Sequence, residues 1–236
     1  MAKVMRGKKK KVYYSGIESF VGVWSSDIRM MIAMFVEMLR ESRPEFKKGN
    51  KLVSPYLQDK IFKQKGGEFL DFAEQVPNPM SLEKQINLEK NIQFGTHLRT
   101  IVETFILICK YEMMEGKIVS NNSHSNPKQA FRIEILDHFE FDPQKDEIAL
   151  GFYEGLIRWH IFLQDRRGKS LRGFHTPRLF MNRLLIPRAK LTFSEHDNIH
   201  LTLSEFKSLL LKPGEFVKYY KEKRNQINKK QIKINF

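Results

Sequence analysis

The stretch RRGKSLRGFHTPRLFMNRLLIPRAK occupies residues 166–190 and contains no acid. Its eight basic residues are Arg166, Arg167, Lys169, Arg172, Arg178, Arg183, Arg188 and Lys190. Thr176-Pro177 predicts a helix start, because threonine favours the N-cap and proline favours the first helical position. Pro187 ends this helix, and Arg178 and Arg183 lie on its outer face. The stretch therefore predicts a turn followed by a basic helix.

The elements on either side of this stretch are predicted from the spacing of their apolar residues. Alternation at 131–135 predicts a strand, and helical spacing follows from about Asp146 to Gln164. After the basic helix, Lys190–Phe193 and Ile199–Leu201 predict the two strands of a hairpin. Helix, strand, helix, turn, basic helix and hairpin is the order of a winged-helix domain. In that fold the basic helix enters the major groove of DNA and the hairpin contacts the backbone.

The first half of the chain is predicted to be helical. The first long helix begins at Ile28, and further helices cover 55–75, 82–94 and 97–115. A connection is predicted at 41–54 and a break in the second helix at Gly66-Gly67. A capping box at 202–205 starts a later helix that ends at Leu211. We expect a mainly α fold, a helical bundle followed by a winged-helix domain with a small β-hairpin. The expected segments are a basic arm at 1–14, a helical region at 15–95, the winged-helix domain at 96–214 and a basic tail at 215–236.

The basic charge of the chain is concentrated locally. Lysine and arginine total 41 against 27 aspartate and glutamate, a formal net charge of +14. Besides 166–190, residues 1–12 hold six basic residues and no acid, and residues 218–233 hold seven with one acid. Such clusters indicate a polyanionic partner. Nucleic acid is favoured over a membrane, because neither basic terminus adds the strongly apolar helix face that interfacial binding needs.

Other protein classes are excluded by the apolar runs and the cysteine content. The best apolar runs, such as Met30–Val36, fall far short of the roughly 20 residues that a membrane-spanning helix needs. The lysine-rich start leads into no clean apolar signal segment. Cys109 is the single cysteine, which excludes a disulfide or a cysteine metal site within the chain. We expect a cytoplasmic chain in which Cys109 is a buried structural thiol.

Ser25-Ser26-Asp27-Ile28-Arg29 opens the first long amphipathic helix. Ser26 or Asp27 can accept hydrogen bonds from the free backbone amides at the helix start. Arg29 then lies in the first turn, where the helix dipole favours anions over cations. Arg29 therefore has two interpretations, a solvated arginine or a side chain that meets an external anion such as a phosphate.

Three further patterns are interpreted as structural. Gly168-Lys169-Ser170 looks like the end of a phosphate-binding loop, but Leu163 stands where that loop requires glycine. His196 and His200 have the spacing of helical metal ligands, yet they fall in a predicted hairpin, where that spacing loses its meaning. The acidic cluster at 137–142 has no catalytic partner that any motif supplies. We expect neither a metal site nor a catalytic residue in this chain.

Two stretches resemble one protein family. Ser25-Ser26-Asp27-Ile28-Arg29, followed by an apolar helix, resembles the sensor-2 motif in the lid of AAA+ ATPases, where the second position is glycine. Leu156-Ile157-Arg158 and the segment Thr176–Pro187 are similar to the winged-helix end of prokaryotic ATPases that resemble the origin-recognition complex. Lid before winged helix is the order in that family. The resemblance implies that 15–95 is lid-like and that 96–214 binds DNA.

The resemblance covers only the C-terminal part of such an ATPase. The chain has no Walker A loop and no evident Walker B strand. The resemblance implies that Arg29 and Asp27 sense a nucleotide held by an ATPase core on another chain, where ATP and magnesium would bind. For this chain alone we expect no ATPase activity and no cofactor.

Two functions of different classes are compatible with the sequence. The first is a non-catalytic module that binds nucleic acid, double-stranded DNA in particular, through the basic residues of 166–190, with the basic termini adding salt-sensitive phosphate contacts. The second is a protein–protein interaction subunit whose winged helix and basic tails bind an ATPase or another acidic partner. Duplex binding that weakens steeply with salt favours the first. A stable complex that tolerates substitution of Arg178 and Arg183 favours the second.

Overall fold

The computed structural model describes residues 13–23, 28–49, 52–79, 93–115, 132–165, 170–171, 174–175, 177–191, 193 and 198–234. Its helices are α1 (Gly16–Val23), α2 (Ile28–Lys47), α3 (Pro55–Glu74), α4 (Phe94–Glu115), α5 (Glu147–Arg158), α6 (Leu185–Ala189), α7 (Leu203–Leu211) and α8 (Pro213–Ile234). Its strands are β1 (Arg132–Ile135), β2 (Phe162–Asp165), β3 (Ser170–Leu171), β4 (Phe174–His175), β5 (Arg178–Met181) and β6 (Ile199–Leu201). The fold is mainly helical with a small four-stranded sheet, which confirms the expected mainly α class. Residues 82–92 of the helix predicted at 82–94 lie outside the described residues.

The chain divides into two compact units. The first comprises Met1–Asp71 together with Asn182–Phe193, and the second comprises Phe72–Met181 together with Ser194–Phe236. After β5 the chain therefore leaves the second unit, contributes α6 to the first unit, and returns as β6.

The first unit is built around α2 and α3. The buried residues of α2 recur at every fourth position, as one face of a helix requires: Met34, Met38 and Ser42. On α3, Phe62 is fully buried. The Phe20 ring of α1 lies 6.3 Å from the Phe62 ring and 6.3 Å from the Phe35 ring, measured between centroids. Aromatic contacts thus join α1 to both longer helices.

Two predicted interruptions of these helices are wrong. Helix α2 continues through Pro44 instead of ending near Glu41, and the Glu41 carboxylate lies 2.9 Å from Lys60 Nζ on α3. Helix α3 runs unbroken through Gly66-Gly67. A Cβ on Gly66 would lie 2.6 Å from the Leu184 carbonyl oxygen. This glycine therefore permits the close approach of the chain before α6, and it marks no turn.

The sheet of the second unit has the strand order β2-β5-β1-β6. Strand β5 is antiparallel to β2 and β1, and β6 is parallel to β1. Alternate residues of β1, β5 and β6 are buried on one face: Ile133, Ile135, Leu179, Met181, Ile199 and Leu201. Helix α5 contacts β2, α7 contacts β6, and α4 packs against α5, α7 and α8. The helices thus form the core layer of this unit.

The helix predicted after Thr176-Pro177 is wrong, because Arg178–Met181 is strand β5. Its side chains alternate between part-buried and buried, the period of two that a strand shows. Pro177 directly precedes the strand, where a missing N–H removes no ladder hydrogen bond. The apolar residues of this short run are compatible with both helical and strand spacing. The run is a strand because it pairs with β1 and β2.

The helix predicted over Asp146–Gln164 ends early, at Arg158, and β2 follows it. His160 adopts a left-handed conformation with φ of 54°, and the Ile161 N–H donates to the Leu156 carbonyl at 2.9 Å. This closure is typical of a helix C-terminus. Because histidine occupies the position that glycine usually takes, no glycine or proline marks the helix end in the sequence.

The predicted hairpin of Lys190–Phe193 with Ile199–Leu201 is also wrong. Ile199–Leu201 is a strand, as predicted, but it pairs with β1. Lys190 is the left-handed C-cap of α6, with φ of 58°. Leu191 is buried in the first unit, where its carbonyl accepts a hydrogen bond from the Tyr14 hydroxyl.

Helix α7 begins at the predicted capping box. Thr202 Oγ1 accepts a hydrogen bond from the Glu205 amide at 3.2 Å, and the Thr202 amide donates to Glu205 Oε2 at 3.0 Å. The helix ends at Leu211, as predicted, and α8 covers most of residues 215–236. Cys109 is buried, which confirms that prediction. Within the described ranges, no helix is both long enough and apolar enough to cross a membrane.

Candidate nucleic-acid interface

Strands β2 to β5 form two successive antiparallel ladders. Strand β2 pairs with β5, and Asp165 lies opposite Arg178. Further along, β3 pairs with β4, and Leu171 lies opposite Phe174. Residues 172–173 are all that separates β3 from β4 in the sequence. We call these four strands the β2–β5 hairpin, and its last strand, β5, stands where the predicted basic helix was expected to begin.

The eight predicted basic residues fall into three groups. Four lie outside the described residues, in the sequence between β2 and β4: Arg166, Arg167, Lys169 and Arg172. One, Arg178, is on β5 in the second unit. Three belong to the first unit, in the turn before α6, on α6 and at its C-cap: Arg183, Arg188 and Lys190. Arg178 and Arg183, which were predicted on the same helix, thus lie on a strand and in a turn.

Arg178 belongs to a row of side chains across the sheet, on the face opposite the buried apolar residues. Asp165, Arg178, Glu134 and His200 occupy facing positions on β2, β5, β1 and β6. The Glu134 side chain is only 7% exposed, and Arg178 Nη2 lies 3.7 Å from its Oε1. Asn198 Nδ2 donates to Glu134 Oε2 at 2.5 Å, and His200 Nε2 lies 3.6 Å from the same oxygen. Arg178 is therefore engaged internally, beside a buried carboxylate.

Sequence reasoning missed this row, because alternation shows which residues share a face of one strand but not which strands are neighbours. In the sequence, Glu134 is a polar residue between Ile133 and Ile135, and no local pattern indicates its partners. A second row on the same face holds Arg132, whose guanidinium carbon lies 5.5 Å from the centroid of the Phe180 ring. Such a cation–π contact keeps Arg132 against the sheet.

The basic C-terminal segment is also partly engaged within the chain. Lys223 on α8 forms an ion pair with Glu205 on α7. Arg224 Nε lies 2.7 Å from Glu112 Oε1 on α4, and the Tyr220 hydroxyl donates to the same oxygen at 2.8 Å. Glu112 is buried, so Arg224 supplies its counter-charge. These pairs attach α8 to the second unit and use two of its cations.

Arg29 lies in the first turn of α2 and is exposed. Asp27 and the two serines before it lie outside the described residues, so the expected N-cap is not described. Both interpretations of Arg29, a solvated arginine and an anion contact, stay predictions.

The acidic cluster at 137–142 stabilises the backbone around it. Asp142 Oδ1 accepts hydrogen bonds from two amides of the following turn, at 3.0 and 3.2 Å. Asp137 Oδ1 accepts one from the Leu203 amide at the start of α7, at 2.6 Å. These are turn and cap contacts. In the described part of the chain, no group of three or more His, Cys, Asp or Glu side chains could hold a metal ion.

A pocket of about 180 Å³ lies beside α5 in the second unit. Pro79, Phe94 and Trp159 line it together with Glu147 and Glu154. Pockets that enclose a drug-sized ligand measure roughly 300–1,000 Å³. The pocket, which Arg158 also lines, is therefore too small to enclose a nucleotide.

No protein family model, curated protein or solved structure matches this chain. The resemblance to the lid and winged helix of origin-recognition-like ATPases therefore stays a prediction. The candidate interface consists of the β2–β5 hairpin and the basic residues that lie in sequence between its strands.

Proposed function

We propose that this chain binds double-stranded nucleic acid, DNA in particular, through the β2–β5 hairpin. The observation that supports this proposal is the antiparallel pairing on both sides of residues 166–169. Residues 166–173 contain four basic residues and no acid. A two-stranded ribbon is narrow enough to enter a groove of a duplex, and cations on it contact the phosphates. The basic residues assigned to phosphate contacts are Arg166, Arg167, Lys169 and Arg172.

The helix that precedes the hairpin is a weaker candidate for this contact. Helix α5 contains Glu147 and Glu154 but one basic residue, Arg158. A helix with more acidic than basic residues is repelled by phosphates. In a winged-helix interpretation of the order β2-β5-β1, the hairpin occupies the position of the wing. The proposal therefore assigns the main phosphate contacts to the wing and none to a basic helix.

Fluorescence anisotropy with a labelled duplex of about 20 base pairs tests the proposal. The test variant combines Arg166→Ala, Arg167→Ala, Lys169→Ala and Arg172→Ala. The matched control removes the same number of charges from exposed lysines elsewhere, in the combination Lys47→Ala, Lys48→Ala, Lys145→Ala and Lys212→Ala.

We expect the hairpin variant to bind at least about 100-fold more weakly at about 50 mM salt, with the slope of log affinity against log salt reduced by roughly 3. The control variant should stay within about threefold of the unmodified chain. Equal losses in the two variants would overturn the proposal, since duplex binding would then depend on the total charge and not on the position of the basic residues.

A further inference from the structure

Helix α2 has an apolar face that the first unit leaves exposed. Five large side chains on it are 39–62% exposed: Ile28, Ile32, Phe35, Val36 and Leu39. At about 100° per residue they share an arc of about 100° and extend about 17 Å along the helix axis. Met34 and Met38 lie outside this arc and are buried. The helix is therefore apolar on two sides, and its own unit covers one of them.

Helix α1 extends the exposed surface. Ile17 and Val21, one turn apart, are 74% and 52% exposed. The Phe20 ring contacts the Phe35 ring, so the two helices are neighbours. We call the seven exposed apolar side chains the α1–α2 face. Exposed apolar side chains grouped on neighbouring helices mark an interaction site more often than scattered single residues do.

Basic residues border the α1–α2 face at the C-terminal end of α2. Arg40, Arg43 and Lys47 are exposed there. On a helical wheel all three lie within about 90° of the centre of the apolar arc. No ion pair with another described residue engages any of the three. Their charges are thus available to a partner.

The acids of α2 lie on the other side of the helix. Glu37 Oε2 lies 2.7 Å from Lys65 Nζ, and Glu41 Oε2 lies 2.9 Å from Lys60 Nζ, both on α3. Glu45 is about 130° from the centre of the apolar arc. The helix therefore has its acids neutralised inside the unit and its cations beside the exposed apolar face.

The positive charge beside the α1–α2 face decides which kind of partner fits the face. In a two-fold interface, a second copy would bring Arg40, Arg43 and Lys47 against themselves if the two α2 helices were parallel, or toward Arg29 if they were antiparallel, and like charges cost free energy in both cases. An interfacial membrane helix has cations along its polar face, whereas the side of α2 away from the apolar arc holds Glu37, Glu41 and Glu45.

We propose that the α1–α2 face docks an acidic amphipathic helix of a partner protein. The apolar side chains of that helix would lie on the α1–α2 face, and its carboxylates would pair with Arg40, Arg43 and Lys47. An amphipathic helix laid on an apolar helix surface is a common mode of recognition. The surface belongs to the first unit and is separate from the β2–β5 hairpin.

Titration calorimetry on the full chain tests this proposal with synthetic helical peptides of about 20 residues. One peptide carries leucine on one face and glutamate along an adjacent edge, and its counterpart carries lysine in place of glutamate. We expect the glutamate peptide to bind and the lysine peptide to bind at least about tenfold more weakly.

Two double variants of the face are compared with a matched control. Ile32→Ser with Leu39→Ser should weaken binding of the glutamate peptide by at least about tenfold. Leu107→Ser with Leu136→Ser, at side chains 50% and 52% exposed in the second unit, should leave it within about twofold. Arg40→Glu with Arg43→Glu should reverse the preference so that the lysine peptide binds better, which a misfolded chain would not do.

Three outcomes would overturn the proposal. Equal affinity for the two peptides would show that charge does not select the occupant. The face would be assigned to a membrane if the chain bound no peptide but sedimented with vesicles of phosphatidylserine and phosphatidylcholine, and if the Ile32→Ser, Leu39→Ser variant did not sediment. The face would be assigned to a second copy of the chain if the chain bound no peptide but associated with itself, and if the same variant did not.

Discussion

Arg178 and Glu134 face each other across β5 and β1, with Arg178 Nη2 3.7 Å from Glu134 Oε1. The sequence placed Arg178 on the outer face of a helix, as a phosphate contact. In the sheet it lies beside a buried carboxylate that also accepts a hydrogen bond from Asn198. A basic residue in a basic stretch can thus serve the fold, because strand pairing brings an acid from about 40 residues away in the chain.

Arg178→Ala should lower the free energy of unfolding by about 1–3 kcal/mol, because it leaves the Glu134 carboxylate buried with less compensation. The loss stays below that of a fully buried pair, since the Arg178 side chain is 21% exposed. Urea denaturation measures it. Lys145→Ala, at a side chain 85% exposed, is the control and should change stability by less than about 0.5 kcal/mol. Adding Glu134→Gln should recover part of the loss, whereas unchanged stability in Arg178→Ala would contradict this role.

Glu205 should make the second unit sensitive to acid. Burial alone would raise the pKa of Glu205, but hydrogen bonds from the Lys223 ammonium, the Thr202 amide and the Tyr219 hydroxyl hold it below its usual value. Because the pKa is lower in the folded state, the carboxylate stabilises the fold above the pKa of an unfolded glutamate, about 4.3. This contribution is lost as the pH falls through the folded pKa.

Urea denaturation at pH 7 and at successively lower pH measures this effect. Glu205→Gln should lower the free energy of unfolding at pH 7 by about 1–3 kcal/mol and flatten its fall in acid. Glu215→Gln, at a side chain 81% exposed on the neighbouring helix, is the control and should keep the full fall. Identical acid profiles for Glu205→Gln and the unmodified chain would show that Glu205 is not the group concerned.

Gly66 and Gly67 should respond in opposite directions to alanine. A Cβ at position 66 would meet the Leu184 carbonyl oxygen at 2.6 Å and Arg188 Cβ at 2.9 Å, whereas a Cβ at position 67 meets nothing within 4 Å. We expect Gly66→Ala to destabilise the chain by about 1–3 kcal/mol through overpacking. Gly67→Ala should stabilise it by roughly 0.5–1 kcal/mol, since alanine favours a helix interior. Thermal or urea unfolding of the two variants measures these changes in stability. Equal changes in both variants would contradict the close packing at Gly66.

Cys109 should be unreactive in the native chain. Burial raises the pKa of the Cys109 thiol, and the nearby Glu112 carboxylate raises it further, so little reactive thiolate forms. A chromogenic disulfide reagent should show no reaction in native buffer and reaction of one thiol per chain in urea. The midpoint of reactivity should coincide with the midpoint of unfolding. Fast reaction without denaturant would show that the α4 core opens locally.

The purified chain should not hydrolyse ATP. Its sequence contains no Walker A loop, the glycine-rich element whose backbone amides hold the phosphates in such ATPases. Phosphate release by the chain and by Arg29→Ala should therefore equal the background. Turnover that persists through purification and is lost on substitution of Arg29 would contradict this expectation.

The local signals in the sequence predicted much of the fold. The capping box of Thr202 and Glu205 starts α7, and the alternation around Ile133 forms β1. The prediction failed where a local signal was absent or ambiguous. His160 closes α5 without a glycine, and Thr176-Pro177 precedes a strand although the dipeptide favours a helix start.

The candidate interface was predictable in charge but not in shape. The concentration of basic residues at 166–190 is a property of composition, and any fold would preserve it. The pairing of β2 with β5 on either side of part of this stretch depends on which strands are neighbours in the sheet. The α1–α2 face was not predictable as a binding surface, because Ile32 and Leu39 have the same helical spacing as core residues.

The amino-acid sequence alone was sufficient for the mainly helical class, the cap at Thr202, the burial of Cys109 and the local concentration of basic charge. Each of these depends on residues within a few positions of one another. Tertiary structure was needed for the strand state of Arg178, its contact with Glu134 and the exposure of one face of α2. These depend on free energy gained between residues far apart in the chain, which outweighs the small local preferences at each position.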